Sequence, residues 1–434
     1  NIKIAVKPQN VDKLPKRING TVRNLLSKVD ERKIFDEVTK ELGLNQLLDR
    51  EIQQLSGGEL QRMAICATLM READVYFFDE PSSYLDIYQR MKIVKIIQKL
   101  SETKRVIVIE HDLAVLDVLA DLVHIVYGKK GAFGVFTPAR TTRQAINAYL
   151  DGFLTEQNVR IRSKPIKFIT HRDRTTGVGS KIVSWSNIKK TLGEFTLETQ
   201  EGSVHRGEVV GVVGPNGTGK STMMKILAGL IEYEDGWVDQ NPKISYKPQH
   251  IDVDIDCSVQ LWLDSEIGAK WRSGEFNVNV IKALGVDKLL PKRVKKLSGG
   301  ERQAVSIAIC LGRDADLYLL DEPSAHLDAN ARMEAAKAIR RTMESNEKSA
   351  FVIDHDVYFI DILSDSLLVF DGAGGTHGIA KGPFSLREGM NQFLENVNIT
   401  FRRDHDSKRP RINKSDSRKD REQQSSGDYY SFDS

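Results

Sequence analysis

Residues 214–221 read Gly214-Pro215-Asn216-Gly217-Thr218-Gly219-Lys220-Ser221, which fits the phosphate-loop pattern G-x-x-x-x-G-K-[ST]. The run 209–213 before it is short, apolar and rich in valine, as in a buried strand. Residues 221–230 after it predict a helix. Strand, glycine-rich loop and helix in this order form a phosphate-binding unit. The stretch therefore predicts an α/β fold whose loop binds a nucleotide.

Each part of this loop suits contact with phosphates. Glycines let backbone N–H groups converge on phosphate oxygens, and the start of the following helix adds partial positive charge. Lys220 can reach the β- and γ-phosphates, and the Ser221 hydroxyl can ligate Mg²⁺. The predicted nucleotide-binding residues of the loop are Gly214, Pro215, Asn216, Gly217, Thr218, Gly219, Lys220, Ser221 and Thr222.

Four other motifs occur twice, in the same order and about 240 residues apart. Lys7-Pro8-Gln9 recurs as Lys247-Pro248-Gln249, and Leu55-Ser56-Gly57-Gly58-Glu59 recurs as Leu297-Ser298-Gly299-Gly300-Glu301. Phe78-Asp79-Glu80-Pro81-Ser82 recurs as Leu320-Asp321-Glu322-Pro323-Ser324, and Ile109-Glu110-His111-Asp112 recurs as Ile353-Asp354-His355-Asp356. The phosphate loop occurs once, because its first counterpart would fall before residue 1. The sequence therefore predicts two related domains, the first of them truncated just before the strand that leads to Gln9 and so without its phosphate loop.

The acidic pair of the second repeat follows an apolar run, 317–320, that predicts a buried parallel strand. Functional groups at the carboxyl ends of such strands are where open α/β sheets bind ligands. Asp321 is expected to hold Mg²⁺, and Glu322 to orient and polarise the attacking water. The predicted magnesium ligands are Ser221, Gln249, Asp321 and Asp79; the predicted catalytic residues are Glu322, Glu80, His355 and His111; Gln249 and Gln9 are also predicted to bind the nucleotide.

Composition narrows the class of protein. The 434 residues include 63 Lys and Arg against 60 Asp and Glu, so a net charge of +3 gives no global argument for nucleic-acid binding. No apolar run reaches about 18 residues, which argues against a membrane pore. The N-terminus lacks a signal-peptide pattern, and the three cysteines form no Cys-x-x-Cys pair. We therefore expect a reducing, cytoplasmic setting.

The repeated Leu-Ser-Gly-Gly-Glu motif places a serine and two glycines at a predicted helix start, where hydroxyl and N–H donors can bind an anion. Together with the phosphate loop, acidic pair and histidine, this signature resembles the ATP-binding-cassette (ABC) family over almost the whole chain. The resemblance implies two nucleotide-binding domains of the P-loop NTPase type, with ATP and Mg²⁺ as ligands. The signature residues it implies are Ser56, Gly57, Gly58, Ser298, Gly299 and Gly300.

In the ABC family, the signature of one domain closes on the nucleotide held by the other. The resemblance therefore implies that the first signature completes the site at Lys220. The site opposite the second signature has no phosphate loop in this chain, and we expect it to bind nucleotide poorly. The second signature also departs from the common pattern, because Arg302-Gln303-Ala304 replaces Leu60-Gln61-Arg62.

Three classes of ABC protein compete: the ATPase subunit of a transporter, a translation factor that binds ribosomes through two cassettes joined by a long charged helix, and the ribosome-recycling type. The joint 127–162 contains several glycines and no long charged helix, which argues against the second class. Residues 142–150 of the joint are echoed by residues 386–394. Both segments and the tail are similar to the paired hinges and tail of subfamily E, the RNase L inhibitor family, in its eukaryotic form.

This resemblance implies a domain order and a function. The predicted domains are 1–128, the C-terminal part of a first nucleotide-binding domain; 129–170, a hinge; 171–375, a second nucleotide-binding domain; and 376–434, a second hinge with a basic tail. The implied function is ATP-driven splitting of ribosomes, with the small subunit, its rRNA, release factors and initiation factors as partners. Neither a membrane nor a homo-oligomer is required. Family members carry two iron–sulfur clusters, which we expect only in an N-terminal region that this chain lacks.

The same resemblance assigns further contacts. Phe195 matches the aromatic residue that stacks on adenine. The hinge and tail segments match those that contact the ribosome, and the run 402–421 holds nine Lys and Arg against four Asp, which can face phosphates. The predicted ribosome contacts are Arg143, Arg387, Arg402 and Arg403.

Overall fold

The computed structural model describes residues 2–129, 132–162, 165–166, 179–239, 242–249, 255–404, 409–414 and 416–431. Contacts divide the chain into two compact units, Asn1–Tyr149 and Leu150–Ser434. The predicted start of the second domain at residue 171 lies outside the described residues. In the part of the chain that the structure describes, no helix is both long and apolar enough to cross a membrane.

Unit 1 is built on a parallel sheet of three strands in the order β1-β2-β3. Its strands are β1 Ile4–Lys7, β2 Val75–Asp79, β3 Arg105–Ile109, β4 Leu122–Val123, β5 Val126–Lys129, β6 Phe133–Phe136 and β7 Arg140–Thr141. Its helices are α1 Val22–Ser27, α2 Phe35–Glu41, α3 Gly57–Met70, α4 Ile87–Ser101, α5 Leu113–Leu119 and α6 Thr142–Asp151. Apolar residues of α3, β2 and α4 share one core, which covers one face of the sheet.

The other side of this sheet stays open to solvent. In the described part of unit 1, β3 pairs only with β2. Ile107 and Ile109 on β3 are 52% and 43% exposed, and Ile4 and Val6 on β1 are exposed as well. Unit 1 therefore combines a free strand edge with an apolar surface.

Unit 2 is built on a ten-stranded mixed sheet, with an ordered path β12-β10-β11-β19-β18-β13-β17-β16-β15 and β14 paired to β10. Its strands are β8 Phe153–Leu154, β9 Val159–Arg160, β10 Lys181–Leu192, β11 Phe195–Thr199, β12 Gly202–His205, β13 Val209–Val213, β14 Asp235–Asp239, β15 Ile244–Lys247, β16 Leu317–Asp321, β17 Ser349–Ile353, β18 Ser366–Ala373, β19 His377–Ser385, β20 Phe401–Arg403 and β21 Pro410–Ile412. Its helices are α7 Lys220–Leu227, α8 Val259–Ile267, α9 Gly274–Phe276, α10 Gly299–Gly312, α11 Ala329–Asn346, α12 Val357–Leu363, α13 Leu386–Val397 and α14 Arg418–Ser426.

The centre of the larger sheet is parallel and fully buried. Strand β13 lies between β17 and β18, and β17 pairs on its other side with β16. All residues of β13, β16 and β17 are buried, as expected for strands with both faces covered. The carboxyl ends of these strands meet at one edge, so the chain segments that follow them lie close together. The predicted α/β fold is confirmed.

The helix after the phosphate loop is shorter than predicted. It ends at Leu227 because Gly229 adopts a left-handed φ of +69° and the N–H of Leu230 donates back to the carbonyl of Lys225. This is the usual way in which a glycine closes a helix and satisfies its last carbonyls.

Candidate nucleotide site

The phosphate loop connects β13 to α7 and is shaped by its glycines. Gly214, Gly217 and Gly219 have φ values of +142°, +77° and +92°, which disfavour other residues. The ammonium of Lys220 lies over the loop and donates to the carbonyls of Gly214 and Pro215, at 2.8 and 2.7 Å. The loop is thus curled around a buried cation, a shape that suits an anionic ligand.

Other loop residues are held by their surroundings. The Thr218 hydroxyl donates to the carbonyl of Pro215, at 2.8 Å. The N–H of Gly375, in the turn between β18 and β19, donates to the carbonyl of Gly217. A Cβ atom on Gly219 would lie 2.9 Å from the ring of Phe195, so this aromatic ring packs directly against the loop. Asn216, Ser221 and Thr222 are half-buried.

The acidic pair lies where β16 ends, next to the loop. The buried carboxylate of Asp321 accepts a hydrogen bond from Ser221. Burial raises the pKa of the Asp321 carboxyl, although the bond from Ser221 opposes that rise. A carboxylate that loses hydration in this way gains from a nearby cation. Asp321 and Ser221 are therefore brought together as the predicted magnesium site requires.

Glu322 is contacted by two other predicted residues. Gln249 donates through Nε2 to Oε1 of Glu322, at 2.6 Å, and Nε2 of His355 lies 3.4 Å from the same oxygen. Burial alone would raise the pKa of Glu322, but the hydrogen bond and charge of His355 lower it to about 2. The carboxylate is therefore ionised at neutral pH. The backbone of Glu322 is unusual, with a φ of +47°.

Unit 1 repeats this arrangement almost atom for atom. Gln9 donates to Oε1 of Glu80, at 2.7 Å, and Nε2 of His111 lies 3.4 Å from that oxygen. Glu80 also has a φ of +47°. Burial raises the pKa of Asp79, and the charge of Glu80 raises it further. The first repeat thus preserves the geometry of the acidic pair.

Both signatures begin a helix, as predicted. Ser56 caps α3, and Ser298 caps α10. In each case the serine hydroxyl accepts a hydrogen bond from the backbone N–H of the glutamate three residues later. The carboxylate of that glutamate in turn accepts a hydrogen bond from the backbone N–H of the serine. This reciprocal capping box fixes the helix start. Gly57, Gly58, Gly299 and Gly300 form the first turns.

The glycines also serve packing. A Cβ atom on Gly57 would lie 3.2 Å from the ring of Tyr84, and one on Gly300 would lie 2.7 Å from the carbonyl of His326. Tyr84 and His326 follow the two acidic pairs and have positive φ values of 64° and 62°. Sequence reasoning found the donors of the signature but missed this contact with the loop after the acidic pair.

Sequence reasoning also missed two pairs of residues behind the acidic pairs. Lys7 and Lys247 are buried, and each donates to the carbonyl of the aspartate. Burial lowers the pKa of both lysines to about 8, although neighbouring carboxylates oppose the shift. Gln61 and Gln303 donate to the carbonyls of Glu80 and Glu322. The signal was present, because Lys7 and Lys247 stand inside one repeated motif, and Gln61 and Gln303 each lie two residues after the glutamate of another.

The arginines predicted to contact the ribosome fall into two groups. Arg143 and Arg387 occupy equivalent places in the first turns of α6 and α13, and both are exposed. Arg387 lies 3.5 Å from Asp428. Arg402 on β20 is half-buried. Arg403 differs from the other three, because its side chain is only 5% exposed and pairs with buried Asp361 of α12, at 2.8 Å. This pairing favours a structural role for Arg403.

Tyr430 completes this buried cluster. Its hydroxyl accepts from Arg403, at 2.8 Å, and donates to the Asp361 carboxylate. Phe401, fully buried, packs edge-on against Tyr358 of α12, with ring centroids 6.3 Å apart. The C-terminal segment is thereby bound to the helix that follows His355.

We expect Arg403→Met to lower the free energy of unfolding of unit 2 by roughly 3 kcal/mol, because it leaves the Asp361 charge buried without its cation. All four tryptophans lie in unit 2, so fluorescence during urea unfolding reports on this unit. Arg418→Met on α14, where the side chain is exposed, is the matched control and should change stability by less than about 0.5 kcal/mol. Equal stability of Arg403→Met and the parent would contradict the structural role.

Comparisons with known proteins agree with this geometry. The family described as ABC transporter matches residues 1–83 and 197–325. The ABC transporter E family member 1 of Arabidopsis thaliana is 43% identical, over 100% of this chain and 73% of the plant protein.

Two solved structures are also similar. The archaeal ribosome recycling factor aABCE1, in complex with the archaeal ribosomal stalk protein aP1, is 49% identical with a TM-score of 0.93, over 99% of this chain and 84% of that chain. A chain of the ribosome-bound complex of archaeal Pelota and ABCE1 is 50% identical with a TM-score of 0.94, over 99% of this chain and 73% of that chain. The predicted family is confirmed: this chain belongs to the E subfamily of the ATP-binding-cassette ATPases.

Proposed function

We propose that this chain binds Mg-ATP at the loop around Lys220, hydrolyses it, and uses the cycle in ribosome recycling. The observation that carries the proposal is the convergence of Lys220, Asp321 and Glu322 at one edge of the sheet, in a chain whose solved relatives include a ribosome recycling factor. The setting we propose is the cytoplasm.

The loop residues would hold the nucleotide. Backbone N–H groups of the loop 214–221, except at Pro215, and the ammonium of Lys220 would face the phosphates, and α7 adds the partial positive charge of its N-terminus. We assign adenine stacking to Phe195, since its ring already packs on the loop at Gly219.

The residues present fit Mg²⁺. Ser221, Asp321 and Gln249 offer oxygen atoms, the type of ligand that this hard cation prefers. Among the described residues, no group of three His, Cys, Asp or Glu forms a metal site by itself, so the nucleotide phosphates would supply further ligands. Bound there, Mg²⁺ would neutralise charge that develops on the phosphates. The iron–sulfur clusters implied by the family resemblance would be held outside this sequence.

Glu322 is the residue we assign to the attacking water. Its ionised carboxylate accepts a hydrogen bond from Gln249, which leaves the second oxygen able to accept from water. His355, beside the same carboxylate, is assigned to the γ-phosphate. Gln9, Asp79, Glu80 and His111 share this geometry. We assign Asp79 to Mg²⁺ and Glu80 and His111 to the catalytic roles of the first repeat. Gln9 and the signature residues Ser56–Gly58 and Ser298–Gly300 are assigned to nucleotide binding within the family mechanism.

Small ribosomal subunits are the partner that we propose, with rRNA contacted by Arg143, Arg387 and Arg402. Release and initiation factors are further proposed partners, by family resemblance. The test is co-sedimentation of the chain with purified small subunits in the presence of a non-hydrolysable ATP analogue. Nucleotide-dependent pelleting supports the proposal. Steady ATP turnover without pelleting would favour the ATPase subunit of a transporter, and pelleting without any turnover would favour a factor that only binds ribosomes.

We expect the double variant Arg143→Ala and Arg387→Ala to bind small subunits more weakly and with a flatter salt dependence. Arginine contacts phosphates bidentately, and each lost contact lowers the slope of log K against log salt by roughly one unit. Binding is measured by co-sedimentation across a salt series.

Its matched control is Arg272→Ala with Arg293→Ala, because these two arginines are likewise exposed. ATP affinity at the Lys220 site should be unchanged in both double variants. If the two double variants pellet equally well at every salt concentration, Arg143 and Arg387 are ordinary solvent-exposed residues and do not contact rRNA.

A further inference from the structure

A buried lysine ends the strand that leads to each glutamine of the nucleotide site. Lys247, 2% exposed, donates through Nζ to the carbonyls of Asp321 and Pro248, at 2.8 and 3.1 Å. Lys7, 0% exposed, donates to the carbonyls of Asp79 and Glu80, at 2.7 and 3.2 Å. The hydrogen bond from a buried lysine to the aspartate carbonyl therefore occurs in both units.

Packing does not require a lysine at this position. In β15, Ser245 and Lys247 are buried while Ile244 and Tyr246 are only half-buried, so Lys247 points to the interior. An apolar residue would fill that space at lower cost, because burying an ammonium loses its hydration. The energetic cost indicates a role for the ammonium itself, and its partners are backbone carbonyls of the acidic pair.

The backbone of this acidic pair adopts an unfavourable conformation at Glu322. Glu322 has a φ of +47°, a left-handed conformation that costs a residue with a side chain of order 1 kcal/mol. Its N–H donates to the carbonyl of Ile353, at 2.8 Å, and its carbonyl accepts from Gln303. Lys247 adds a third hydrogen bond, to the carbonyl of Asp321, one residue earlier in the chain. The partners in these three hydrogen bonds lie on three different elements, namely β17, α10 and β15.

We propose that Lys247 is a positioning residue for ATP hydrolysis: it ties the end of β15, two residues before Gln249, to the carbonyl of Asp321, and so holds the Glu322 carboxylate in place to receive water. It touches neither water nor phosphate in this role. The proposal rests on the assignment of Glu322 to the attacking water.

The test is Lys247→Met, which keeps an unbranched side chain of nearly the same length and removes the donors. We expect turnover to fall roughly 10- to 100-fold, because a small displacement of a water-orienting group costs this much. ATP affinity should change by less than about threefold, since the loop around Lys220 is untouched.

The matched control is Ser245→Ala on the same strand. It removes a buried hydrogen bond, from Oγ to the carbonyl of Cys310 at 2.9 Å, without reaching the acidic pair. Both variants should lose stability in urea unfolding, but only Lys247→Met should lose turnover. If Lys247→Met does not fold, Lys247→Leu, which also removes the donors, carries the same comparison.

Combining Lys247→Met with Glu322→Gln separates the two assignments. If Lys247 acts through Glu322, adding Lys247→Met to Glu322→Gln causes no further loss of turnover. Independent, multiplicative losses would overturn the positioning role, as would full turnover in Lys247→Met alone. Full turnover in Glu322→Gln alone would instead overturn the proposed function.

Discussion

Lys220→Ala is expected to remove measurable Mg-ATP binding from this chain. The ammonium is buried in the loop and already bonded to the carbonyls of Gly214 and Pro215, so its charge is presented to the phosphates from a fixed place. Truncating one partner of a buried charge pair costs about 2 to 5 kcal/mol, which is roughly 30- to 4,000-fold in affinity. The measurement is equilibrium titration with a fluorescent ATP analogue.

Lys225→Ala is the matched control for this variant. Lys225 lies on the same helix, α7, but is exposed, so the substitution makes the same change of residue type without touching the loop. Its affinity should equal that of the parent. The parent itself should bind one nucleotide per chain, since the phosphate-loop pattern occurs once in the sequence. Two tight sites per chain would contradict this assignment.

Glu322→Gln is expected to lower turnover by roughly 10² or more while ATP affinity stays nearly constant. Glutamine keeps the size of the side chain and can still form a hydrogen bond with Gln249. It lacks the negative charge that Glu322 carries at neutral pH because of its low pKa. Phosphate release and ATP titration are measured on the same preparation.

Glu334→Gln provides the comparison, because Glu334 is a partly exposed glutamate of α11 that pairs with Lys337 of the same helix. It should hydrolyse ATP like the parent. Unchanged turnover in Glu322→Gln would rule out the assignment to water, and loss of ATP binding would point to a structural role for this carboxylate.

Much of the site could be predicted because its signals are local. The phosphate loop, the acidic pair and the signature each lie within a few consecutive residues, and the flanking apolar runs predict strands that bring them to one edge. The strands β13 and β16 were found where the sequence predicted them, and both signatures begin helices.

What the sequence did not reveal depends on contacts between distant residues. The partner of Arg403 is Asp361, on a helix that precedes it in the chain, and a run of charged residues gives no sign of such pairing. The role of Lys247 likewise appears only when β15 and β16 are placed side by side. Local pattern marks these residues as charged, whereas burial and partners are set by the tertiary fold.

The open side of the unit 1 sheet has a practical consequence for work with this chain in solution. A free strand edge offers unpaired N–H and C=O groups to any neighbouring chain, and adjoining apolar side chains make such pairing favourable. Ile107 and Ile109 present both features together on β3. A net charge of only +3 provides little repulsion between molecules. We therefore expect molecules of this chain to associate through β3 as the protein concentration rises.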